Sequence, residues 1–407
     1  MPLRLVLAYG FLGLPLAFAA LPLYVHVPRY YAETTGMSLA LLGTLLLIAR
    51  LGDAFIDPCL GWLADRLPRR HLLGWALVPF GLGFVALLNP PAGSAAPWLL
   101  ATLLLTYGGF SAATIAYQAW GADLGADSIL RTRLTAAREG FGLCGVLLAV
   151  ALPALLAADL ATGISRLAYV LPPLLVLASF VTFLPTRAGT PTVAHQQPIT
   201  DALRAVAADP AFRRLLLVFV ANGIAAGLPA TLFLFFVADV LQAEAASGWL
   251  LALYFAAGAA SLPLWVRLAA RRGRVAAWLA AMVLAMVAFA GTATLGPGEL
   301  TAFAIICIAS GLALGADLAL PAAIAADLGE RMGRPGACFG LWNFVAKLNL
   351  ALAAGLALPL LDRLGYVPGQ ASGLAALTVA YALLPLCFKA LAAGLLWRWR
   401  HHLEIRS

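Results

Sequence analysis

Apolar runs of about 20 residues, separated by short polar breaks, recur along the whole 407-residue chain. Each run is long enough to cross a ~30 Å hydrocarbon layer as a helix, the form in which a segment satisfies its own backbone polar groups. Twelve can be drawn, near 4–28, 37–64, 71–90, 95–122, 134–158, 164–184, 212–238, 247–268, 274–294, 300–326, 336–361 and 371–397. The pattern predicts an all-α polytopic membrane protein with 12 transmembrane helices. The first run follows Arg4 and contains Ala17-Phe18-Ala19, which mimics a signal-peptide cleavage site, but it continues apolar to Val27 and is read as a retained span. The longest polar stretch, Pro185 to Pro210, falls between the sixth and seventh runs. It predicts an N-terminal half over 1–184, a cytoplasmic linker over 185–211, and a C-terminal half with tail over 212–407. Within the linker, Thr200 is a candidate cap for a short amphipathic surface helix from Asp201 to Ala208.

Composition agrees: 63% of residues are hydrophobic and 11% charged, against ~45–50% apolar in soluble domains. The arginines occupy alternate loops. One set holds Arg66, Arg69 and Arg70; Arg131 and Arg133; Arg187, Arg204, Arg213 and Arg214; Arg267, Arg271, Arg272 and Arg274; and Arg331 and Arg334. The other holds Arg29, Arg166 and Arg363. The positive-inside rule therefore predicts an inner-membrane protein with both termini cytoplasmic, Arg398, Arg400 and Arg406 lying on the tail. Topology accounts for the net charge of +8, so no nucleic-acid partner is inferred. Cys59, Cys144, Cys307, Cys338 and Cys387 lie in apolar runs without metal-site spacing and read as small buried hydrophobes. His71, His195, His401 and His402 lie in loops or the tail, and His26 reads as interfacial. With no nucleophile–base set, metal motif or phosphate loop, neither an enzyme nor a cofactor is expected.

The halves are faintly self-similar. A shift of 205 residues lays Gly43 on Gly248, Pro58 on Pro263 and Arg66 on Arg271; a shift of 204 lays Ala122-Asp123-Leu124-Gly125 on Ala326-Asp327-Leu328-Gly329. Between the second and third spans, Gly61-x-x-x-Asp65-Arg66-x-x-Arg69-Arg70 resembles the loop signature of the major facilitator superfamily. That resemblance implies two pseudo-symmetric six-helix bundles with substrate bound between them near mid-membrane. Asp65 at a helix end is then expected to pair across the seam between the halves. The arginines are expected to bond to exposed helix C-termini, as a gate.

The second span carries Arg50, Asp53 and Asp57 within about two turns. Under the repeat, Asp53 falls on Gly258 and Asp57 on Leu262, so the acids belong to one half only. A charge at mid-membrane costs at least ~2.5–3.5 kcal/mol and is usually paired and functional. Two carboxylates four apart share a helix face and are hard oxygen ligands for a small cation, or a shared proton site; a salt-bridge knot with Arg50 is the other reading. Of 26 basic residues only Lys347 and Lys389 are lysines, both within spans. Lys347 lies midway along the eleventh. Lys389, past the middle of the twelfth, reads as snorkelling and is given no role.

Ala49 to Trp62, "ARLGDAFIDPCLGW", resembles the second-helix motif of the glycoside–pentoside–hexuronide:cation symporters. Tyr9-Gly10-Phe11, the Arg131–Leu134–Arg138 segment, and Lys347 ahead of Gly365-Tyr366-Val367-Pro368 extend the likeness over essentially the whole chain. The resemblance implies that Asp53 and Asp57 bind the coupling cation, as a metal site if that cation is sodium, with Thr114 beside them. It implies that Tyr117, Arg138, Trp342, Asn343 and Lys347 line the substrate cavity. Galactoside-transporting relatives carry an acid where this chain has Ala17, so a galactoside is not expected. Asp317, an added acid in the tenth span, reads either as part of a different substrate site or as a core acid paired with Lys347. Arg50 and Lys347 offset Asp53 and Asp57, which leaves sodium and proton coupling both open. The expected activity is cation-coupled symport of a sugar, glycoside or similar small polar solute by a monomer in the lipid bilayer. Transport of a lysolipid or other amphiphile is the alternative.

Overall fold

The computed structural model describes residues 1–35, 37, 39–91, 95–157, 160–186, 198–367, 369–370 and 372–404. Arg187, His195, Pro368 and Arg406 lie outside the described residues. In chain order the α-helices are α1 (Leu3–Phe11), α2 (Gly13–Leu21), α3 (Val27–Thr35), α4 (Leu39–Ala64), α5 (Arg69–Leu87), α6 (Ala95–Leu124), α7 (Ser128–Leu156), α8 (Leu160–Ala168) and α9 (Leu171–Phe183). They continue as α10 (Ile199–Ala208), α11 (Pro210–Phe235), α12 (Ser247–Arg272), α13 (Arg274–Ala290), α14 (Leu300–Arg331), α15 (Pro335–Arg363), α16 (Leu374–Thr378) and α17 (Leu384–Leu403). No strand occurs among the described residues.

Eleven helical segments among the described residues are long and apolar enough to cross a membrane. α4 is not among them: it has 26 residues, but Arg50, Asp53 and Asp57 lie within it. Adding α4 gives the twelve spans of the hydropathy pattern. The first span runs on through a π-helical turn at Pro22–His26 into α3, ending at Thr35. Pro22 has no N–H to give the helix, and a π turn absorbs that break. The sixth span is broken between α8 and α9, where Pro172 and Pro173 fall in the first turn of α9, the place a helix tolerates them. The linker helix begins at Ile199, so Thr200 lies inside it and is not its cap. Asp209 caps the next helix instead, accepting from Phe212 N at 2.8 Å ahead of Pro210.

By packing, the chain forms two compact units: Met1–Ala207 with Ala325–Phe344, and Ala208–Ile324 with Val345–Ser407. In the first, α1 and α2 lie so close on α7 that a Cβ at Gly10 would stand 2.7 Å from the Ala137 backbone. In the second, Phe236, Phe303 and Tyr381 form an aromatic core, the Phe236 and Tyr381 rings stacked 4.2 Å apart. Two Gly-x-x-x-Gly spacings serve close packing within the second unit: Gly223 and Gly227 of α11 face Asn349 and Ala353 of α15, and Gly311 and Gly315 of α14 face Ala257 and Ser261 of α12. Leu47, Phe55, Trp75, Leu82, Val287 and Ile305 point outward, the arrangement of a lipid-facing surface. Cys59, Cys144 and Cys387 are exposed, contrary to the sequence expectation, while Cys307 and Cys338 are buried; all five are free thiols.

Candidate functional site

α4 turns Asp53 and Asp57 inward, at 6% and 0% exposure, and turns Phe55 and Ile56 outward. The Ser111 hydroxyl of α6 donates to Asp53 Oδ1 at 2.6 Å. Ser111 stands three residues before Thr114, on the same face of α6. The Thr114 hydroxyl oxygen is buried and makes no hydrogen bond among the described residues. Two carboxylates and two hydroxyls thus belong to the facing helices α4 and α6. Oxygens of these kinds suit a small hard cation, and a carboxyl can carry a proton; the Ser111–Asp53 bond brings two of them together. Arg50, one turn before Asp53, is exposed and near enough to act electrostatically on Tyr107 of α6.

Tyr117 does not line an open space. Its ring is buried 4.6 Å from that of Tyr9, its hydroxyl donates to the Tyr9 carbonyl, and the Tyr9 hydroxyl donates to the Tyr117 carbonyl at 2.9 Å. This reciprocal clamp ties α1 to α6. The next residue, Gln118, carries the polar contact: its Oε1 accepts from Asn343 Nδ2 at 2.6 Å. Asn343 also donates to the Phe339 carbonyl at 2.8 Å, and Trp342 beside it is buried. Arg138 of α7 is buried and paired with Glu139, Nη2 to Oε1 at 2.5 Å. Ala17 packs against α7, where a Cβ on Gly142 would touch it at 3.4 Å.

In the second unit, Asp317 pairs with Lys389 of α17, which is buried and does not snorkel. The other Asp317 oxygen accepts from the Trp278 indole at 2.8 Å. The structure therefore gives Asp317 a partner other than Lys347, and gives Lys389 the role withheld from it. Lys347 is half-buried on α15, one turn beyond Asn343.

The signature loop builds a polar knot at the arginine-rich end of the first unit. Asp65, just past α4, accepts from Gly336 N at 2.6 Å and Ala337 N at 2.8 Å, the first turn of α15. It also takes Arg69 Nη2 at 2.9 Å. A carboxylate at a helix N-terminus meets unsatisfied donors and the positive end of the dipole. Burial pushes the Asp65 carboxyl above its ordinary value, against the pull of Arg69 and the two N–H groups. Arg69 pairs in turn with Asp123 and caps α4 through Nε to the Ala64 carbonyl at 3.1 Å. Arg70 caps α9 through the Phe183 carbonyl at 2.7 Å, and Arg66 stacks 3.9 Å over Trp62. The repeated acids of the Ala-Asp-Leu-Gly segments both take an arginine: Asp123 takes Arg69, and Asp327 takes Arg131 at 3.0 Å. Gly61 is held against Gly336 and Gly340, and a Cβ at Gly340 would meet the Asp57 carbonyl at 2.7 Å, so α4 and α15 touch backbone to backbone.

The sequence profile described as MFS/sugar transport protein, within the major facilitator superfamily, matches residues 6–401. The chain belongs to this family. Its members are membrane transporters and not enzymes, in line with the resemblance read from Ala49–Trp62 and the loop signature. Over 91 residues the chain is 34% identical to a putative glycoside/cation symporter, YagG, of Escherichia coli (strain K12). That match covers 19% of this chain and 20% of the relative, so it spans about a fifth of the relative's length. Solved structures share the fold at low identity. A bacterial homologue of the iron transporter ferroportin, in an outward-facing state, aligns at a TM-score of 0.75 and 17% identity over 98% of this chain and 100% of that one. The fucose:proton symporter of E. coli aligns at 0.73 and 12% over 96% and 98%. The human organic anion transporter TETRAN aligns at 0.67 and 22% over 99% and 100%. The fold is the major facilitator fold, its twelve spans divided between two helical bundles.

Proposed function

We propose that the protein is a secondary active symporter that couples a cation, Na+ or H+, to movement of a sugar, glycoside or similar small polar solute by alternating access. It works in the cytoplasmic membrane as a monomer, with both termini inside. The observation that carries this reading is the buried pair Asp53 and Asp57, with the Ser111 hydroxyl on one acid and the Thr114 hydroxyl, buried and unbonded among the described residues, on the same face of α6 as Ser111. Carboxylates in a hydrocarbon-embedded helix are costly and are retained where they bind something. Membership of a sugar-transport family and the partial likeness to a glycoside/cation symporter support the class of substrate.

In this reading Asp53, Asp57, Ser111 and Thr114 hold the cation. Sodium would be ligated by the oxygens of all four; a proton needs one carboxyl. Trp342, Asn343, Gln118, Arg138 and Lys347 contribute to substrate binding, while Tyr117 positions α1 against α6. Ala17 in place of an acid argues against a galactoside. The residues 1–184 and 212–397 act as the moving halves, joined by the linker 185–211, and the Asp65 knot is the cytoplasmic gate. The test is a thermal-shift screen of the purified protein against sugars and lysolipids, each with and without sodium and at two pH values. A ligand that binds only the native state raises its stability. At least one sugar or glycoside should raise Tm, by an amount that depends on sodium or pH; stabilisation by lysolipids alone would overturn the reading.

A further inference from the structure

α13 begins at Arg274, one residue after Arg271-Arg272-Gly273 opens the turn from α12, and α17 ends in Trp397-Arg398-Trp399-Arg400-His401-His402-Leu403. Between these two helices, within the second unit, runs an open groove of about 640 Å³ lined by Ala276, Leu279, Trp397, Arg400, His401 and Glu404. Glu404 closes one end. Its carboxylate accepts from Arg274 N at 3.0 Å and Val275 N at 2.9 Å, so the first donors of α13 are already used. Arg400 lies 4.2 Å from the centroid of the Trp397 ring and gives one N–H to the Trp397 carbonyl at 2.9 Å. A guanidinium has five N–H donors in a planar fork that matches a phosphate. The stacked indole holds that fork at the groove mouth.

The groove has an apolar floor, Ala276, Leu279 and the exposed Trp397, and a charged rim, where Arg400 and His401 stand beside the Glu404 already bound to α13; Arg271, Arg272 and Arg398 are exposed outside its lining. A free phosphate needs only the rim. A charged rim continuous with an apolar floor at the end of two spanning helices fits a molecule with both parts. We propose that this groove binds one anionic phospholipid, its phosphodiester on the Arg400 fork and its chains along Ala276, Leu279 and Trp397. The proposal rests on the chain being embedded in a membrane and is independent of what it transports.

The test uses the purified full chain in a neutral detergent, titrated with phosphatidylglycerol and with phosphatidylcholine of the same chains, the lipid adducts being counted by native mass spectrometry. Phosphatidylglycerol should fill one site about tenfold more tightly than phosphatidylcholine, a difference of about 1.4 kcal/mol. Arg400→Ala should weaken both lipids, since both carry the phosphodiester, and phosphatidylglycerol the more, since no choline cation offsets its charge, so that the preference narrows. Ala276→Trp, which fills the floor without touching a charge, should weaken both lipids. Excess inorganic phosphate should not displace the bound lipid. Phosphatidylglycerol binding that survives Ala276→Trp, or that inorganic phosphate displaces, overturns the proposal, and this arm decides the matter even if Arg400→Ala fails to fold. Equal affinity of the two lipids for the unsubstituted chain overturns it as well.

Discussion

The Asp65 carboxylate, at the end of the second span, accepts the backbone N–H of Gly336 at 2.6 Å, in the first turn of the eleventh. One side chain thereby caps a helix more than two hundred residues away in sequence, and Arg69 holds it in place. Asp65→Ala should leave the Gly336 and Ala337 N–H groups and Arg69 without their acceptor, each buried donor costing about 1–3 kcal/mol. Asp65→Asn keeps one acceptor oxygen and should cost less. Cysteine-accessibility labelling from the cytoplasmic side should rise more for Asp65→Ala than for Asp65→Asn; equal, unchanged labelling would remove the gate assignment.

The same contact has a pH dependence. Burial raises the Asp65 carboxyl above its ordinary 3.8, so the made contact binds a proton more readily than a solvated carboxyl does. By linkage, its contribution is fully present below the ordinary value and is lost as pH rises through the raised one. Amide exchange at Gly336 and Ala337, corrected for the intrinsic effect of pH, should therefore slow on acidification. Asp65→Asn should abolish that dependence.

Close backbone contact at the knot depends on glycine. A Cβ at Gly340 would meet the Asp57 carbonyl at 2.7 Å and the Gly61 Cα at 3.0 Å, with no flexible side chain to give way. Overpacking of this kind costs typically ~1–3 kcal/mol. Gly340→Ala should insert and fold, yet show the same rise in cytoplasmic labelling as Asp65→Ala. Gly394→Ala, where an added Cβ meets nothing, should show none.

Asp317 and Lys389 form an ion pair inside the second unit, with the Trp278 indole on the remaining carboxylate oxygen. Removing one partner of a buried pair is far more costly than removing both, about 3–5 kcal/mol for the single change. Lys389→Met should lower the Tm substantially, and adding Asp317→Leu should recover most of the loss. A double variant as unstable as the single one would show that Asp317 has a further partner of consequence.

The twelve spans were legible because each must be a self-satisfied apolar helix of near-constant length, a constraint that hydropathy reads directly. The acids of α4 stood out because charge is rare there. Partners were harder to read. A helical period tells which residues share a face, not which neighbour that face meets, so the family resemblance points to Thr114, while nothing in the sequence marks Ser111, one turn earlier on the same stripe, as the partner of Asp53. Lys389 looked free to snorkel only because its distance from the helix end was known and its packing against Asp317 was not. Tyr117, expected at the substrate cavity, packs on Tyr9 while Gln118 makes the polar contact, for the same reason: adjacent residues on a helix point about 100° apart, and sequence does not say which one faces polar company. The repeated Ala-Asp-Leu-Gly segments were visible as a repeat, but their meaning as two arginine-binding acids needed the fold.

The coupling role of the α4 acids is tested most directly by Asp57→Cys in proteoliposomes with a substrate identified by the thermal-shift screen. A cation drives accumulation only through a coupling free energy between its site and that of the substrate, typically ~1–3 kcal/mol. In the proposed reading, loss of one carboxylate breaks the cation site on α4 and α6, while Trp342, Asn343 and Gln118 remain. The account predicts that this variant still exchanges substrate down its gradient but no longer accumulates it when a sodium or proton gradient is imposed. Gradient-driven accumulation equal to that of the unsubstituted protein would contradict it and leave Asp57 a structural charge.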